Sequence, residues 1–370
     1  MTPFERRTRT VQRRLGGGDG SADGLVLSPS ENLYYATGVD EDPTERAFLL
    51  FVPASGDPVF VVPELSGAEV EEATWVSDVR TWSDDEAPDD AVDAAVADCS
   101  LDGGHVLVDD TMWAQFTQML RGRLPNATFG LASEVFAGLR RRKDEAERDA
   151  LRRAAAVADA VVGDLRDRGA DVLGSTEREL ARDVETRLAA HGGEDVAFET
   201  IVGSGPNGAK PHHSHGDREI RAGDPVVLDF GTRVDGYPSD QTRTLVFGGD
   251  PSGEFERVHA VVREAQEAAV ESVEPGVTAG DVDAAARSVV ESAGYGERFV
   301  HRTGHGVGLS VHEEPYITAG NDVELAAGMV FSVEPGVYLP GEFGVRIEDL
   351  VVVTDDGRER LNHTDRGWRC

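Results

Sequence analysis

Lysine is almost absent from this chain of 370 residues, whereas acidic residues are abundant. Only Lys143 and Lys210 are lysines, so nearly all 36 basic residues are Arg, and 69 acidic residues leave a formal net charge of -33. This charge argues against nucleic acid and anionic membranes as partners. Acid spread along a chain with little Lys is typical of proteins adapted to a salt-rich cytoplasm, where the screening length of about 3 Å at 1 M salt limits self-repulsion.

Cysteine and long apolar runs are also scarce. Cys99 and Cys370 are too far apart in sequence to suggest a metal-ligand pair or a disulfide framework, which fits a reducing cytosol. No apolar run approaches the roughly 20 residues that a membrane-spanning helix needs. The N-terminal stretch "MTPFERRTRTVQRRL" is rich in Arg but lacks an apolar core, so we expect an exposed helix and not a secretory signal. These features together predict a cytoplasmic protein.

The chain is long enough for two domains of α/β character. Residues 1–131 alternate strand-like segments ("DGLVLSPSENLYYATGV", "RAFLLFVPASGDPVFVVPEL", "GGHVLVDD") with amphipathic segments ("DDAVDAAVADC", "TMWAQFTQMLRGRL"), which predicts a smaller N-terminal domain. A continuous helical pattern over residues 132–164 predicts a linker helix. It would lead into a second domain over residues 165–370.

The second domain contains a faint internal repeat. The segments that begin at Gly174 and Gly276, 102 residues apart, both read as a turn, a Thr in N-cap position and an amphipathic helix. Further along, "AGDPVVLDFG" aligns with "AAGMVFSVEPG", so that Asp229 and Glu334 occupy equivalent positions 105 residues apart. A duplicated half-domain would bring these two acids together about a pseudo-twofold axis.

Two acids stand next to apolar strands in "VVLDFGTRVDGYPSDQTRTLVF". The sequence predicts a turn at Asp235-Gly236, and the midpoint between Asp229 and Asp240 falls beside it, so the two acids are predicted to lie at or near facing positions of a hairpin. Like charges so placed destabilise a protein unless a cation lies between them. The alternative is the exposed polar rim of a hairpin in a very acidic protein.

Histidines concentrate in two short stretches, "KPHHSHGD" and "VHRTGHGVGLSVHEEP". The glycines around His305 allow the backbone to approach a bound group closely. The segment "GHGVG" lacks the Lys and the spacing of a phosphate-binding loop, and the chain contains no HExxH zinc motif. The six histidines of these stretches are His212, His213, His215, His301, His305 and His312.

A second apparent hairpin, "MVFSVEPGVYLPGEFGVRIEDLVVV", repeats the pattern with Glu334 and Glu348 on its two arms. Together with Asp229, Asp240 and His305 these residues form an oxygen-rich set with one nitrogen, which suits Mn, Co or Fe better than Zn. Four negative charges match two divalent ions, and such a pair activates water as a nucleophile near neutral pH.

At these residues the chain resembles the metal-dependent peptidases of the pita-bread fold (peptidase family M24), in the branch of aminopeptidase P and Xaa-Pro dipeptidase (prolidase). The resemblance covers most of the chain and implies an α+β architecture. It would comprise a C-terminal pita-bread domain with a pseudo-twofold repeat, preceded by a creatinase/prolidase-type α/β domain. The motifs that carry it are "SPSENLYYATG", "PVFVVPEL", "RRRKDEAERDALRRAA", "LDFG", "SDQTRT", "GHGVGLSVHE", "EPGVY" and "GVRIED".

The resemblance also implies roles for the metal-ligating set. Asp229 is similar to a ligand of one metal, Asp240 and Glu348 to bridging carboxylates, and His305 and Glu334 to ligands of the second metal. The family equivalent of Glu334 is also the usual candidate for the general base.

Other residues match positions that act on the substrate. His212, in the "PH" motif, and His312, in "VHE", are expected to contact the scissile carbonyl or its oxyanion. Arg346 resembles the Arg that orients the bridging acids. Tyr316 stands where prolidases specialised for dipeptides often have an Arg for the substrate carboxylate, so it is a substrate-binding candidate and dipeptide-only specificity stays open. His213, His215 and His301 receive no role.

The resemblance implies a hydrolase that cleaves the Xaa-Pro bond of dipeptides or short peptides, in a homodimer whose N-terminal domain limits substrate length. A same-fold hydrolase or lyase acting on a small non-peptide molecule, such as an ectoine-type amide, is the alternative. A non-catalytic pita-bread module is disfavoured because all five ligands are present. A methionine aminopeptidase is disfavoured by the N-terminal domain and the "PHHSH" segment.

Overall fold

The computed structural model describes residues 1–17 and 21–370. The chain divides into two compact units, Met1–Leu139 and Arg140–Cys370. Among the described residues, no helix is both long enough and apolar enough to cross a membrane.

The first unit is built on one mixed sheet. Its strands are β1 (Gly24–Leu27), β2 (Leu49–Pro53), β3 (Val59–Pro63), β4 (Asp78–Trp82), β5 (His105–Val108) and β6 (Thr128–Leu131). Their order in the sheet is β4-β3-β2-β1-β5-β6. Its helices are α1 (Pro3–Leu15), α2 (Glu31–Thr37), α3 (Glu64–Ala73), α4 (Asp89–Asp98), α5 (Ala114–Arg123) and α6 (Ser133–Arg140), whose last residue belongs to the second unit. The α/β character predicted for this part of the chain is confirmed.

Three local predictions in and beside this unit were wrong. The segment "SENLYYATG" forms helix α2 instead of extending a strand, because the Ser30 hydroxyl accepts a hydrogen bond from the Leu33 N–H (3.2 Å) as an N-cap. Helix α1 is not wholly exposed, since Val11 and Leu15 are each only 1% exposed. The continuous helix expected over residues 132–164 is divided, because Asp144 starts a new helix through a capping box with Glu147.

The second unit, Arg140–Cys370, contains two main sheets and the longer helices. Its α-helices are α7 (Glu145–Arg168), α8 (Glu177–Ala190), α9 (Gly253–Glu271) and α10 (Ala279–Ser292), and short 3-10 turns span Gly169–Val172, Gly205–Ala209 and Gly296–Arg298. Its strands are β7 (Ile201–Ser204), β8 (Val226–Phe230), β9 (Arg233–Val234), β10 (Tyr237–Pro238), β11 (Gln241–Leu245), β12 (Gly304–Gly306), β13 (Glu313–Ile317), β14 (Val330–Val333), β15 (Gly336–Leu339), β16 (Phe343–Arg346), β17 (Asp349–Val353) and β18 (Arg358–Arg360). The sheet orders are β11-β8-β7 and β13-β12-β14-β17-β18, with β9/β10 and β15/β16 as separate antiparallel pairs.

The internal repeat is visible in this unit. Helices α8 and α10 both begin at a capping box, formed by Thr176 with Glu179 and by Thr278 with Asp281. Helices α7 and α8 share one apolar cluster with β7, β8 and β11, while α9 and α10 share another with β14 and β17. The helices thus bury one face of each sheet. The polar residues at the strand ends lie on the side of the sheets away from these helices.

Candidate metal centre

Asp229 and Asp240 are both buried beside the first hairpin, at 9% and 4% exposure. Asp229 ends β8, and Asp240 immediately precedes β11. The turn lies at Asp235-Gly236, as predicted, and both residues have positive φ (50° and 77°), as a type I′ turn requires.

The two acids do not face each other directly in this hairpin. Asp229 pairs with Thr242, so the register differs by two residues from one that would pair Asp229 with Asp240. Gly231 is needed between the two acids, since a Cβ there would collide with the Ser239 carbonyl oxygen. Because the two chain segments approach so closely here, Asp240 lies beside Asp229. Asp240 itself is not paired with a residue of β8.

The second pair of acids comes from the other half of the repeat. Glu334 follows β14, and Glu348 lies between β16 and β17. Glu348 is fixed from the first half: its N–H donates to the Thr242 carbonyl (3.1 Å), and its Oε2 accepts from the Thr242 hydroxyl (2.6 Å). The repeat therefore brings acids from both halves into one place, as the sequence analysis predicted.

His305 completes the cluster. Its Nε2 lies 3.6 Å from Asp240 Oδ2 and 3.3 Å from Glu334 Oε1. Asp240, His305 and Glu348 each offer a ligand atom, and these atoms lie within 4.8 Å of one another. Strand β12, which carries His305, lies so close to β14 that only glycine fits at position 304. A Cβ on Gly304 would collide with the Ser332 carbonyl oxygen.

The electrostatics of the cluster favour a bound cation. Burial, followed by the charges of neighbouring acids, raises the pKa of both Asp240 and Glu348 well above the ordinary range. Burial and Asp229 raise the pKa of Glu334 to about 7, against the opposing effect of Arg346. Crowded, buried carboxylates are costly unless a positive charge compensates them.

Donor chemistry points the same way. The buried Asp229 Oδ1 has no hydrogen-bond partner within residues 1–17 and 21–370. Burial, together with His312 and Arg302, lowers the pKa of His305 to about 3, so its imidazole is neutral and can act as a ligand. Carboxylate oxygens and one imidazole nitrogen fit divalent ions of the Mn, Fe or Co type.

Arg346 partly compensates the acids. Its guanidinium donates to Asp229 Oδ2 (2.5 Å), the Thr242 hydroxyl (3.1 Å) and the Tyr338 hydroxyl (2.9 Å). Burial opposes its charge, but Tyr338 and the surrounding acids raise the pKa of Arg346 above its already high value. Sequence reasoning missed Thr242 and Tyr338, although both lie in quoted motifs. Tyr338 also places His301, whose Nε2 lies 2.9 Å from the Tyr338 hydroxyl.

A cavity of about 720 Å³ opens onto the cluster. His212 and His312 line it, and the His312 ring lies 4.1 Å, centroid to centroid, from that of His305. Arg302, which sequence reasoning did not single out, also lines the cavity. The predicted substrate-binding residue Tyr316 is not among the residues that line the cavity; it is 36% exposed, and its ring lies 4.6 Å from the Arg302 guanidinium carbon.

The remaining histidines of the two motifs have other partners. His213 Nε2 lies 2.9 Å from Glu177 Oε2, and His215 Nδ1 lies 3.0 Å from the Thr200 carbonyl. His213 lines the cavity as well. Both histidines therefore join their loop to neighbouring segments of the second unit.

Comparison with known proteins extends these observations to the whole chain. Residues 146–355 match the model of metallopeptidase family M24, and residues 7–142 match the creatinase/prolidase N-terminal domain. The probable dipeptidase PepE of Mycobacterium tuberculosis is 44% identical over 93% of this chain and 91% of its own length. The Xaa-Pro dipeptidase of Lactobacillus helveticus is 39% identical over 94% of this chain and 95% of its own length.

Solved structures agree. The prolidase of Thermococcus sibiricus superposes with a TM-score of 0.94 at 41% identity, covering 100% of this chain and 99% of that protein. The dipeptidase PepE of Mycobacterium ulcerans gives a TM-score of 0.90 at 41% identity, covering 99% and 97%. Similarity of this extent confirms the two-domain architecture and the pita-bread fold. The chain belongs to metallopeptidase family M24.

Proposed function

We propose that this protein is a metal-dependent hydrolase that cleaves the Xaa-Pro bond of dipeptides or short peptides. One observation carries the proposal: all five ligands expected for such a peptidase line one cavity and form a single cluster there. Relatives named Xaa-Pro dipeptidase and prolidase, aligned over nearly the whole chain, support the same substrate class. The ligands are Asp229, Asp240, His305, Glu334 and Glu348.

The metal content that we propose is two divalent ions, Mn in first place, with Co or Fe as alternatives. Asp229 would bind one ion, His305 and Glu334 the other, and Asp240 and Glu348 would bridge them. When bound, such a pair lowers the pKa of water and polarises a carbonyl group. Arg346 would hold Asp229 in orientation through its guanidinium.

The chain's own side chains would handle the substrate and the proton. His212 and His312 would donate hydrogen bonds to the oxygen of the scissile carbonyl, where negative charge develops during attack. Burial and Arg302 lower the pKa of His312, so its imidazole is neutral and one ring nitrogen carries a proton to donate. The Glu334 carboxylate would take a proton from the attacking water and deliver it to the prolyl nitrogen as the bond breaks.

The assembly and setting are inferences from the resemblance and the composition. We infer a homodimer in a cytoplasm rich in salt, given the net charge of -33. Sedimentation in buffers from low salt to multimolar KCl would test the dimer, since a monomer at every salt concentration would contradict it.

The substrate class can be tested directly. Protein loaded with Mn or Co at high salt would be assayed with Ala-Pro, with Ala-Pro-Ala and with an ectoine-type amide, and Ala-Ala would serve as the control without proline. We expect hydrolysis of the Pro-containing peptides only, and their ratio would separate dipeptidase from aminopeptidase P specificity. Absence of Xaa-Pro cleavage with either metal would refute the proposed function.

A further inference from the structure

The position of His212 depends on the backbone that carries it. The His212 side chain makes no hydrogen bond or ion pair with the part of the chain that the structure describes, although it lines the cavity. Its placement is therefore set by residues 204–216, here termed the histidine loop. A donor that must meet a carbonyl oxygen loses much of its effect when it is displaced by about 1 Å, so the support of this loop matters.

One buried carboxylate gathers the two ends of the histidine loop. Glu177, the first residue of α8, has a side chain that is 0% exposed. Its Oε1 accepts from the Ser204 N–H (2.8 Å) and the Ser204 hydroxyl (2.7 Å), where the loop begins. Its Oε2 accepts from the Gly216 N–H (3.1 Å) and lies 2.9 Å from His213 Nε2, where the loop ends. Asn207 donates to both oxygens (3.1 and 3.2 Å).

The charge state of Glu177 suits this task. Burial acts to raise the pKa of Glu177, but the hydrogen bonds from Ser204, His213 and Asn207 outweigh burial and hold it below the ordinary value. The carboxylate is thus ionised at neutral pH, so its hydrogen bonds, which range from 2.7 to 3.2 Å, are charge-assisted. A buried anion with this many donors fixes their geometry, because each displaced donor would leave part of the charge unsatisfied.

The other half of the repeat contains a comparable arrangement. Asp283, buried in α10, accepts from the Thr303 hydroxyl (2.7 Å) and from Arg287 (2.9 Å), and Arg287 in turn donates to the His301 carbonyl (3.1 Å). In each half, a buried acid on the capped helix holds the segment that carries a cavity-lining histidine. The two acids occupy different turns of their helices, since the N-caps Thr176 and Thr278 align Glu177 with Ala279, so the similarity lies in the contact and not in the position.

We propose that Glu177 is a positioning residue for substrate hydrolysis, which acts through His212 by fixing the histidine loop. This inference rests on the proposed function, because His212 is assigned there as the donor to the scissile carbonyl. The Glu177 carboxylate bonds to the loop on either side of His212 and not to His212 itself, so its effect would be indirect.

The test begins with Glu177→Gln, which keeps the size of the side chain but replaces one acceptor oxygen by a donor. We expect kcat/KM for Ala-Pro to fall by about 10²-fold, with the amount of bound metal unchanged. Amide hydrogen exchange in the histidine loop should become faster, which mass spectrometry can measure without any substrate. The matched control is Glu179→Gln, two residues along the same helix, where an exposed carboxylate caps Thr176 and does not contact the loop. It should leave kcat/KM and loop exchange unchanged.

A double-mutant cycle distinguishes positioning from a general structural effect. If Glu177 acts through His212, the pair Glu177→Gln with His212→Ala should be no slower than His212→Ala alone, within about twofold. Losses that multiply, or an unchanged kcat/KM for Glu177→Gln in an active enzyme, would overturn this role alone. A wild-type protein without Xaa-Pro activity would instead refute the proposed function and this role with it. Should Glu177→Gln fail to fold, Asn207→Ala removes the two hydrogen bonds that Asn207 donates to Glu177, together with the one that it accepts from Lys210, and must show the same non-additivity.

Discussion

The substitution Glu334→Gln, which removes the charge of this side chain, should stabilise the metal-free protein. The same substitution removes the Glu334 carboxylate as a metal ligand. Burial and Asp229 raise the pKa of Glu334 to about 7, whereas an ordinary Glu has 4.5. At 1.36 kcal/mol for each pKa unit, ionised Glu334 costs the folded, metal-free protein about 3 kcal/mol. Glu334→Gln removes this cost because the amide is neutral at every pH.

The sign of the effect follows from the raised pKa. Below 4.5 the carboxyl is protonated in both the folded and the unfolded chain, so it adds no penalty. As pH rises towards 7 the unfolded chain releases the proton first, and the wild-type protein loses stability. The Gln variant should therefore exceed wild type by about 3 kcal/mol at pH 8.5, and by less than about 1 kcal/mol at pH 5.

Urea unfolding of EDTA-treated protein, followed by tryptophan fluorescence at constant high salt, would measure this difference. Glu342→Gln, an exposed position in the β15–β16 turn, is the matched control and should change neither curve. Adding Mn should narrow or reverse the difference, because wild type, with all five ligands, gains more from binding than the variant does. A Gln variant that is no more stable than wild type at pH 8.5, or equally more stable at both pH values, would refute the reasoning.

Two further predictions concern the cluster and a separate buried ring. Asp240→Asn should lower the bound metal, measured by elemental analysis, and reduce kcat/KM by at least about 10²-fold; full metal and activity would contradict its bridging role. His259 packs against Phe255 (ring centroids 5.7 Å), and burial lowers its pKa to about 4. The unfolded chain takes up this proton near pH 6.5, so wild type should lose about 2 kcal/mol between pH 7 and 5 from this group. His259→Phe should remove that slope in urea unfolding, and an unchanged slope would contradict it.

The positions of the acids could be predicted because the repeat is written in the sequence. Asp229 and Glu334 share a place in two similar strands, and a duplicated fold leaves few ways to separate them. The exact register was less accessible. Placing Asp240 beside Asp229 depends on the Gly231 backbone approaching Ser239, a contact that hairpin pairing rules do not include.

Other features depended on tertiary context. Helix α2 was missed because its Tyr and Thr residues favour strands, whereas the cap at Ser30 and the left-handed Gly38 decide for a helix. Tyr338 and Arg302 reach the site through packing between distant segments. In the sequence Glu177 is one more acid at a helix start in a chain with 69 acidic residues, and only its burial and its hydrogen bonds to the histidine loop distinguish it from the others.

Both halves of the repeat contribute metal ligands, and this has a consequence for unfolding. Asp240 and Glu348, the proposed bridging acids, are 108 residues apart, so ions that both residues bind would act as a reversible crosslink between the two halves of the duplication. Closing a chain segment of that length restricts the unfolded ensemble, as a disulfide does, and the restriction disappears when the ions leave. Neither half could hold the ions alone, since each supplies only part of the charge. The concentration of free metal would thus determine whether the two halves of the second unit unfold together in one cooperative transition.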